Sequence, residues 1–442
     1  MIKPRFKIFA DPVHGFISVP RNLLLSLIHT PEVQRLRRIR QLGVGNLVYP
    51  GAEHTRFGHA LGAMALMQDA LNVLSEKGTP ITTEEHTAAL AAALLHDVGH
   101  GPFSHTLEHV LIEDFEHENM SRVLIELLNN RFPGQLDLVL KMFDNTYERP
   151  FFHQLISSQL DMDRLDYLRR DSFHTGVAEG EVGVARIIKT LRVHPLEGSK
   201  ESRIAIEPKG IYAVENFLFA RRLMYWQVYL HKTVVSGDRL LSGIIKRARD
   251  LLTENFNEIR SLTSPSLLFF LRNEIKGSEI EHPTVIKAYC ELDDSDITYS
   301  LKQWMHCQDP VLVDLCRRFI YRSFLRVTYL DTPPTEDDIR AWKEQVAHWL
   351  AGKFSLSNED AVDAAKYYLS HGKVQHVSYT SDKDPIDAVG LDGIVKELST
   401  VTDNAAVAAL TQLVEKPYVC YPKEINLTLE GLSVHENSDN TQ

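Results

Sequence analysis

The chain is poor in cysteine. Four among 442 residues, Cys290, Cys307, Cys316 and Cys420, lie far apart with no Cys-x-x-Cys pair, which argues against a disulfide framework or a structural zinc finger. They read as reduced thiols. Long apolar runs are also missing: the longest, Ala88 to Leu95, is much too short to span a bilayer, and the opening Met-Ile-Lys-Pro-Arg-Phe has no apolar signal core. A cytoplasmic protein with no membrane partner is expected. Positive charge is in deficit, since 48 Lys+Arg against 59 Asp+Glu leave a net charge of −11, so the broadly basic surface of a duplex-DNA binder is not expected. Internal repeats and low-complexity tracts are absent too.

What the chain has is histidine. Of 20 histidines, eight (His54, His59, His86, His96, His100, His105, His109 and His117) fall between positions 54 and 117, beside carboxylates. Solvated surface residues account for a few, but such a density points to metal ligation or proton transfer.

Helical signals dominate the organisation. Asp11-Pro-Val-His-Gly15 suggests a short strand or hairpin. Helices are expected over 31–42, where Pro31 suits a first turn and Val33, Leu36, Ile39 and Leu42 form an apolar stripe beside four arginines, and over 55–76 and 83–97. Further helices are expected near 104–114, 117–130, 150–170, 181–193, 208–235 and 236–256, with a short strand at 203–207. From about 325 the character changes: Thr332-Pro333-Pro334 breaks the chain, two helical stretches follow, and Val374 to Thr380 alternates like a strand. The expected fold is mostly α, with a helical core over 1–325, a small α+β C-terminal lobe over 326–430, and a frayed polar tail over 431–442.

The pair His96-Asp97 sits at the end of the Ala- and Leu-rich helix, just before Val98-Gly99-His100-Gly101-Pro102. Adjacent helical side chains point about 100° apart, so both reach one ion only where the helix ends beside it. Together with His59 and Asp163, the pair gives two imidazoles and two carboxylates, a mixed N/O set suited to one divalent Mn, Fe, Zn, Ni or Mg. Such an ion lowers the pKa of bound water and polarises a phosphoryl oxygen, which makes hydrolysis of a phosphate ester or anhydride the natural reaction.

These residues resemble the H…HD…D signature of the HD-domain metal-dependent phosphohydrolases. The match extends through Asp11-Pro-Val-His-Gly15, Gln34-Arg-Leu-Arg37, Gln41-Leu-Gly43, Tyr49-Pro-Gly-Ala52, Arg56-Phe-Gly-His59, Leu95 to His105, and Asp161 to Asp171. It is closest to the SAM-and-HD-domain deoxynucleoside triphosphate triphosphohydrolases and their bacterial relatives. It is dense over 8–235 and thinner beyond, where Lys383-Asp-Pro-Ile-Asp387 is similar to the family's C-terminal lobe.

The resemblance implies an HD-domain helical core and a set of roles. His59, His96, Asp97 and Asp163 would bind the metal, with additional Mg accompanying the substrate phosphates. His105 and His117 match positions linked to proton transfer at the α-phosphate, and His100 one that contacts phosphate; on physical grounds a carboxylate, Glu108 (where better-known members carry Asp) or Glu118, would orient such a ring. Arg56, Arg164, Arg221 and Lys232 match phosphate-contacting or adjacent positions. Gln41 and Asp171 would meet the 3′-hydroxyl, Leu42 the base, and Tyr167 the deoxyribose, with Tyr229 nearby; helical tyrosines are also common core residues.

The implied activity is hydrolysis of a deoxynucleoside triphosphate to deoxynucleoside and inorganic triphosphate. The alternatives are another HD phosphohydrolase acting on monophosphates, ribonucleotides or cyclic nucleotides, or a non-catalytic nucleotide sensor or nucleic-acid scaffold using the arginines of 35–40. A homo-oligomer, dimer or tetramer, is implied. Allosteric members carry an acidic residue before Thr-Pro and an asparagine before Asp-Pro; here these are His29 and Ala10, so guanine selection by a carboxylate is not expected, although Gln34 and Arg37 leave room for a nucleotide effector. With the motif opening at Asp11, no SAM module is expected before it.

Overall fold

The computed structural model describes residues 5–195, 202–254, 257–382, 384–390 and 393–429. The tail expected over 431–442 lies outside these residues, as does Lys383.

The first element is a hairpin, β1 (Phe6–Asp11) and β2 (Gly15–Pro20), paired antiparallel from Phe6 with Pro20 to Asp11 with Gly15. Its turn is built by side-chain chemistry: Asp11 Oδ1 accepts the amides of Val13 and His14, both at 2.9 Å, and Gly15 takes a φ of +72°. Ile17 and Val19 bury one face of the hairpin against the helical core.

The helix expected over 31–42 stops early. Only Pro31–Gln34 is α-helical, Arg35–Arg38 tightens into a 3-10 turn, and Arg40 forms a β-bridge with Thr55. Its arginines explain the break, because they have separate partners. Arg35 is buried and donates to the carbonyls of Val98 at 2.9 Å and His100 at 2.6 Å, Arg38 pairs with Asp293, Arg40 reaches Glu53 at 2.6 Å, and Arg37 lies over the Phe57 ring.

Two helices then form the centre, α1 (Arg56–Glu76) and α2 (Thr83–Leu95). A reciprocal cap starts α2: Thr82 Oγ1 accepts the Glu85 amide at 3.1 Å and Glu85 Oε2 accepts the Thr82 amide at 2.8 Å. Every residue from Ala88 to Leu95 is buried, and the alanines let neighbouring helices approach closely. The helix therefore delivers His96 and Asp97 to the interior at its C-terminal end. Gly99 follows because nothing larger fits: a Cβ there would lie 2.2 Å from the Ser121 amide nitrogen, in helix α3 (His117–Arg131).

The segment expected as helix 104–114 is instead a 3-10 turn (Ser104–Thr106), one α-turn (Glu108–Leu111) and a two-residue strand (Ile112–Glu113). Positive φ at Phe103 and Ser104 sets that irregular path, which turns His105 and Glu108 toward α3. The helix expected over 150–170 is likewise divided, into Phe151–Ile156 and α4 (Met162–Thr175). Asp161 makes the division by capping α4, its Oδ1 accepting the Arg164 amide at 2.7 Å.

The expected 181–193 helix covers Val184–Thr190 and runs into β3 (Leu191–Pro195), which pairs with β4 (Ser202–Ile206), the strand expected at 203–207. Helix α5 (Ile211–Met224) continues into a π-turn over Tyr225–Tyr229, and α6 (Lys232–Thr253) starts anew with His231 Nδ1 accepting the Thr233 amide at 3.1 Å. The expected boundary at 235 and 236 thus falls at Leu230 and His231.

The C-terminal part adds β5 (Arg326–Tyr329), α7 (Glu336–Phe354), α8 (Asn358–Tyr368), β6 (Ser370–His376), β7 (Asp387–Val389), β8 (Val395–Glu397) and β9 (Val414–Tyr421). The strand expected at 374–380 occupies 370–376. Strands β5, β9 and β6 form one antiparallel sheet, with β9 in the middle. A second sheet runs β8-β7-β4-β3, and there β7 lies parallel to β4, Ala205 opposite Asp387. Gln159, two residues before the α4 cap, ties this region down: its Oε1 accepts the Thr380 amide at 2.7 Å and its own amide donates to Asp384 Oδ2 at 2.8 Å. The architecture is mostly α with a small sheet-containing C-terminal region. Among the described residues no helix is long and apolar enough to cross a membrane.

Candidate metal centre and nucleotide cleft

The start of α1, the end of α2 and the first turn of α4 meet at one point. His59 Nε2 lies 3.0 Å from Asp163 Oδ1, 3.3 Å from His96 Nε2 and 3.7 Å from Asp97 Oδ2. His96 Nε2 is 3.4 Å from Asp163 Oδ1 and 3.5 Å from Asp97 Oδ1. The structure thus gathers all four residues the sequence singles out as ligands.

The chemistry of this donor set fits a divalent ion. His59 Nδ1 faces Asp166 Oδ2 at 2.8 Å and His96 Nδ1 faces the Ala93 carbonyl at 2.8 Å, so each ring keeps a proton on Nδ1 and turns its Nε2 inward. Two inward imidazole nitrogens 3.3 Å apart beside two carboxylates form a set that favours positive charge between them. The electrostatics agree: burial opposes charging His59, yet its bonds to Asp163 and Asp166 push the ring up to about 10. Burial likewise opposes a charged Asp163, but the two imidazoles hold it well below the usual carboxylate range. Arg56 flanks the set, its Nη1 2.5 Å from Asp97 Oδ2 and its Nε donating to Ser104 Oγ at 2.9 Å.

Beside these four residues stands a histidine group. His100 Nε2 is 3.4 Å from Asp97 Oδ1, and its ring stacks on His117 with centroids 3.7 Å apart. Glu108 bridges the outer two, Oε2 to His105 Nδ1 at 3.0 Å and Oε1 to His117 Nδ1 at 2.8 Å, while Oε1 also accepts the His117 amide at 2.9 Å. Glu118 reaches the other nitrogen of His117 at 3.4 Å. Burial alone would lower the pKa of His117, but Glu108 and the neighbouring carboxylates raise it. His100 goes the other way, kept neutral by burial and the Arg56 charge. Nearly enclosed His117 and solvent-facing His105 therefore flank a ring that stays uncharged.

Helix α4 carries a further group of the expected residues. Tyr229 donates to Asp171 Oδ2 at 2.8 Å, His54 Nε2 meets Asp171 Oδ1 at 2.6 Å, and the Tyr167 and Tyr229 rings meet edge to face at 6.2 Å. Gln41 joins through its amide, 3.0 Å from the His54 carbonyl, and its Oε1 is buried without a protein partner. Arg164 and Arg221 both bear on the Tyr167 phenol, although burial dominates and holds that group up. Arg164 pairs with Asp161, whereas Arg221 donates through Nη1 to the Ser378 carbonyl at 3.3 Å and leaves Nε unpartnered. Of the other expected residues, Lys232 Nζ lies 5.5 Å over the Tyr329 ring, and half-buried Leu42 packs on the core.

Several neighbours of these residues carried no sequence-based role. His54 sits two positions before Arg56, and Asp166 and Arg170 follow Asp163 at the three- and four-residue steps that share a helix face, a spacing that was available as a signal. Tyr225 and His376, stacked with centroids 3.6 Å apart, are brought together only by the fold.

A helical scaffold presenting His, His-Asp and Asp to one point is an HD-type centre, and comparison with known proteins gives the same result. The HD domain model matches residues 56–171, and the HD associated region matches 182–284. The uncharacterized protein YwfO of Bacillus subtilis is 35% identical over 407 residues, 89% of this chain and 87% of its own. Human deoxynucleoside triphosphate triphosphohydrolase SAMHD1 is 30% identical over 286 residues, 56% of this chain and 45% of its own. The crystal structure of a phosphohydrolase from Bacteroides thetaiotaomicron matches with a TM-score of 0.87 at 43% identity, over 94% of this chain and 99% of its own. The chain belongs to the HD-domain phosphohydrolases, close to the SAMHD1 family.

Proposed function

We propose that this protein hydrolyses deoxynucleoside triphosphates to deoxynucleoside and inorganic triphosphate. The observation that carries the reading is the placement of Asp163, Tyr167 and Asp171 at four-residue steps along α4, with Tyr229 bonded to Asp171. At 1.5 Å per residue these positions stand about 6 and 12 Å along the axis from Asp163 on nearly one face, a ruler running from the ion toward a sugar. The similarity to relatives named deoxynucleoside triphosphate triphosphohydrolases supports the substrate class.

His59, His96 and Asp163, with Asp97 beside both histidines, would hold one divalent ion, of the Mn, Fe, Zn, Ni or Mg group, with further Mg on the substrate phosphates. When bound, that ion supplies Lewis acidity and an activated water. The remaining work belongs to side chains. Arg164 and Arg221 neutralise phosphate charge, and Arg56 holds Asp97 in place. His117, kept protonated by Glu108, or His105 on the other arm of the same carboxylate, gives a proton to the departing 5′ oxygen. Neutral His100, stacked on His117, donates a hydrogen bond to phosphate. Asp171 receives the 3′-hydroxyl together with Gln41, Tyr167 crowds the 2′ position against a ribose hydroxyl, and Leu42 lies toward the base.

The test is product identity. Metal-replete protein is incubated with four dNTPs, four NTPs and a panel of mono- and cyclic nucleotides, and the products are resolved by anion exchange. Free deoxynucleoside with intact triphosphate is expected; orthophosphate or a linearised cyclic nucleotide would replace this reading with another phosphohydrolase activity. Asp97→Ala is expected to lose hydrolysis while retaining nucleotide binding.

A further inference from the structure

We infer that the N-terminal hairpin turn is the outer support of the metal centre, with His14 and Asp11 acting as positioning residues for His59. The inference rests on the metal-binding reading above, but the residues it adds, Asp11 and His14, lie outside residues 56–171, where the HD domain model matches.

Asp166 is the joint. It is fully buried and lies one helical turn beyond Asp163, and its carboxylate meets four nitrogens: His59 Nδ1 at 2.8 Å and Arg170 Nε at 2.8 Å on Oδ2, His14 Nε2 at 2.6 Å and Arg170 Nη2 at 3.1 Å on Oδ1. A carboxylate has about four lone-pair directions, so Asp166 is saturated and has no freedom to rotate. Only one of the four bonds goes to a ligand. The other three hold the carboxylate that sets the tautomer and tilt of that ligand.

All three trace back to the hairpin. His14 supplies one directly, with its side chain 8% exposed. Arg170 is oriented from its far side by Asp11, whose Oδ2 accepts Nη1 at 2.8 Å, while Oδ1 of the same residue shapes the turn that carries His14. One aspartate thus fixes both arms of the support. The core makes room for it: a Cβ on Gly62 of α1 would stand 1.9 Å from Asp166 Oδ1 and 2.5 Å from Arg170 Nη2.

The experiment measures metal binding in full-length protein with no nucleotide present. Mn²⁺ affinity by electron paramagnetic resonance and the visible absorption of the Co²⁺ form are compared for wild type, His14→Ala, His14→Gln and Asp166→Asn, with thermal unfolding of each metal-free protein. Expected are a Kd for Mn²⁺ raised about 10- to 100-fold in His14→Ala and Asp166→Asn, an altered Co²⁺ spectrum, and substantial recovery in His14→Gln, whose amide restores a donor to Asp166. Wild-type affinity and spectrum in His14→Ala would overturn the inference. So would weakened binding that His14→Gln does not restore and that follows a lowered unfolding midpoint of the metal-free protein, because the turn would then serve folding alone. If Asp166→Asn does not fold, the His14 pair decides. Wild type binding neither ion would instead defeat the metal-centre reading itself.

Discussion

Tyr229 donates its phenol to Asp171 at 2.8 Å, and that bond joins the π-turn following α5 to the last third of α4. A π-turn admits one residue more than an α-turn, and such bulges recur at functional sites. Both residues are buried enough for the phenol to stay protonated, with burial and the Asp171 charge pushing its pKa well up.

Tyr229→Phe removes that donor and leaves Asp171 free to swing toward His54. A hydrogen bond to a charged acceptor contributes about 1.5–3 kcal/mol, so KM for a deoxynucleotide should rise about tenfold with a smaller change in kcat. Steady-state kinetics check this, and an unchanged KM would separate Asp171 from the sugar.

Glu108→Gln tests the histidine group through pH. Burial depresses His117 and Glu108 outweighs it, so a His117 acid stays protonated to higher pH while the carboxylate is present. Removing the charge lowers the His117 pKa, and the alkaline limb of the kcat profile should move toward acid. An unmoved limb would assign the proton to another group.

His376 gives a stability signature. Burial, with the charges of Arg221 and Arg222, pushes it down to about 4. The unfolded chain therefore binds a proton near pH 6.5 that the folded chain refuses until about pH 4. Stability from this residue is complete above 6.5 and drains away as pH falls toward 4. His376→Phe keeps the ring stacked on Tyr225 and should flatten that acid slope in denaturant titrations between pH 7 and 4.

Gly62→Ala places a methyl group where Asp166 and Arg170 already stand, 1.9 and 2.5 Å from the added carbon. Overpacking of this kind costs about 1–3 kcal/mol, and here the displaced groups are charged. Thermal unfolding should record the loss, accompanied by weaker Mn²⁺ binding; a neutral substitution would show the helices able to part.

The meeting of His59, His96, Asp97 and Asp163 was legible because few chemistries need His, His-Asp and Asp in that order, and because a helix ending at Leu95 in front of Gly99 can aim two neighbours at one point. Helix α1 was legible from apolar periodicity, and α2 from its Ala-Leu run. Less visible was anything set by distant partners. Arg35 looks like a solvated helical residue until the carbonyls of Val98 and His100 claim it, and the 31–42 helix tightens around that choice. The stretch at 104–114 follows positive φ at Phe103 and Ser104, which no periodicity announces. The support from Asp11 and His14 comes from the turn of a hairpin more than 150 residues before Asp166, so its spacing says nothing; only the neighbouring pair Asp166 and Arg170 hinted at it.

The hold of Gln159 on Thr380 and Asp384 spans up to 225 residues of sequence. During synthesis the ribosome releases all four ligands long before it releases that strap. The four residues at 59, 96, 97 and 163 can therefore meet early, yet the contact of Arg221 with Ser378 waits until position 378 has emerged. Closure across so long a loop is slow, which makes this contact a late step in folding.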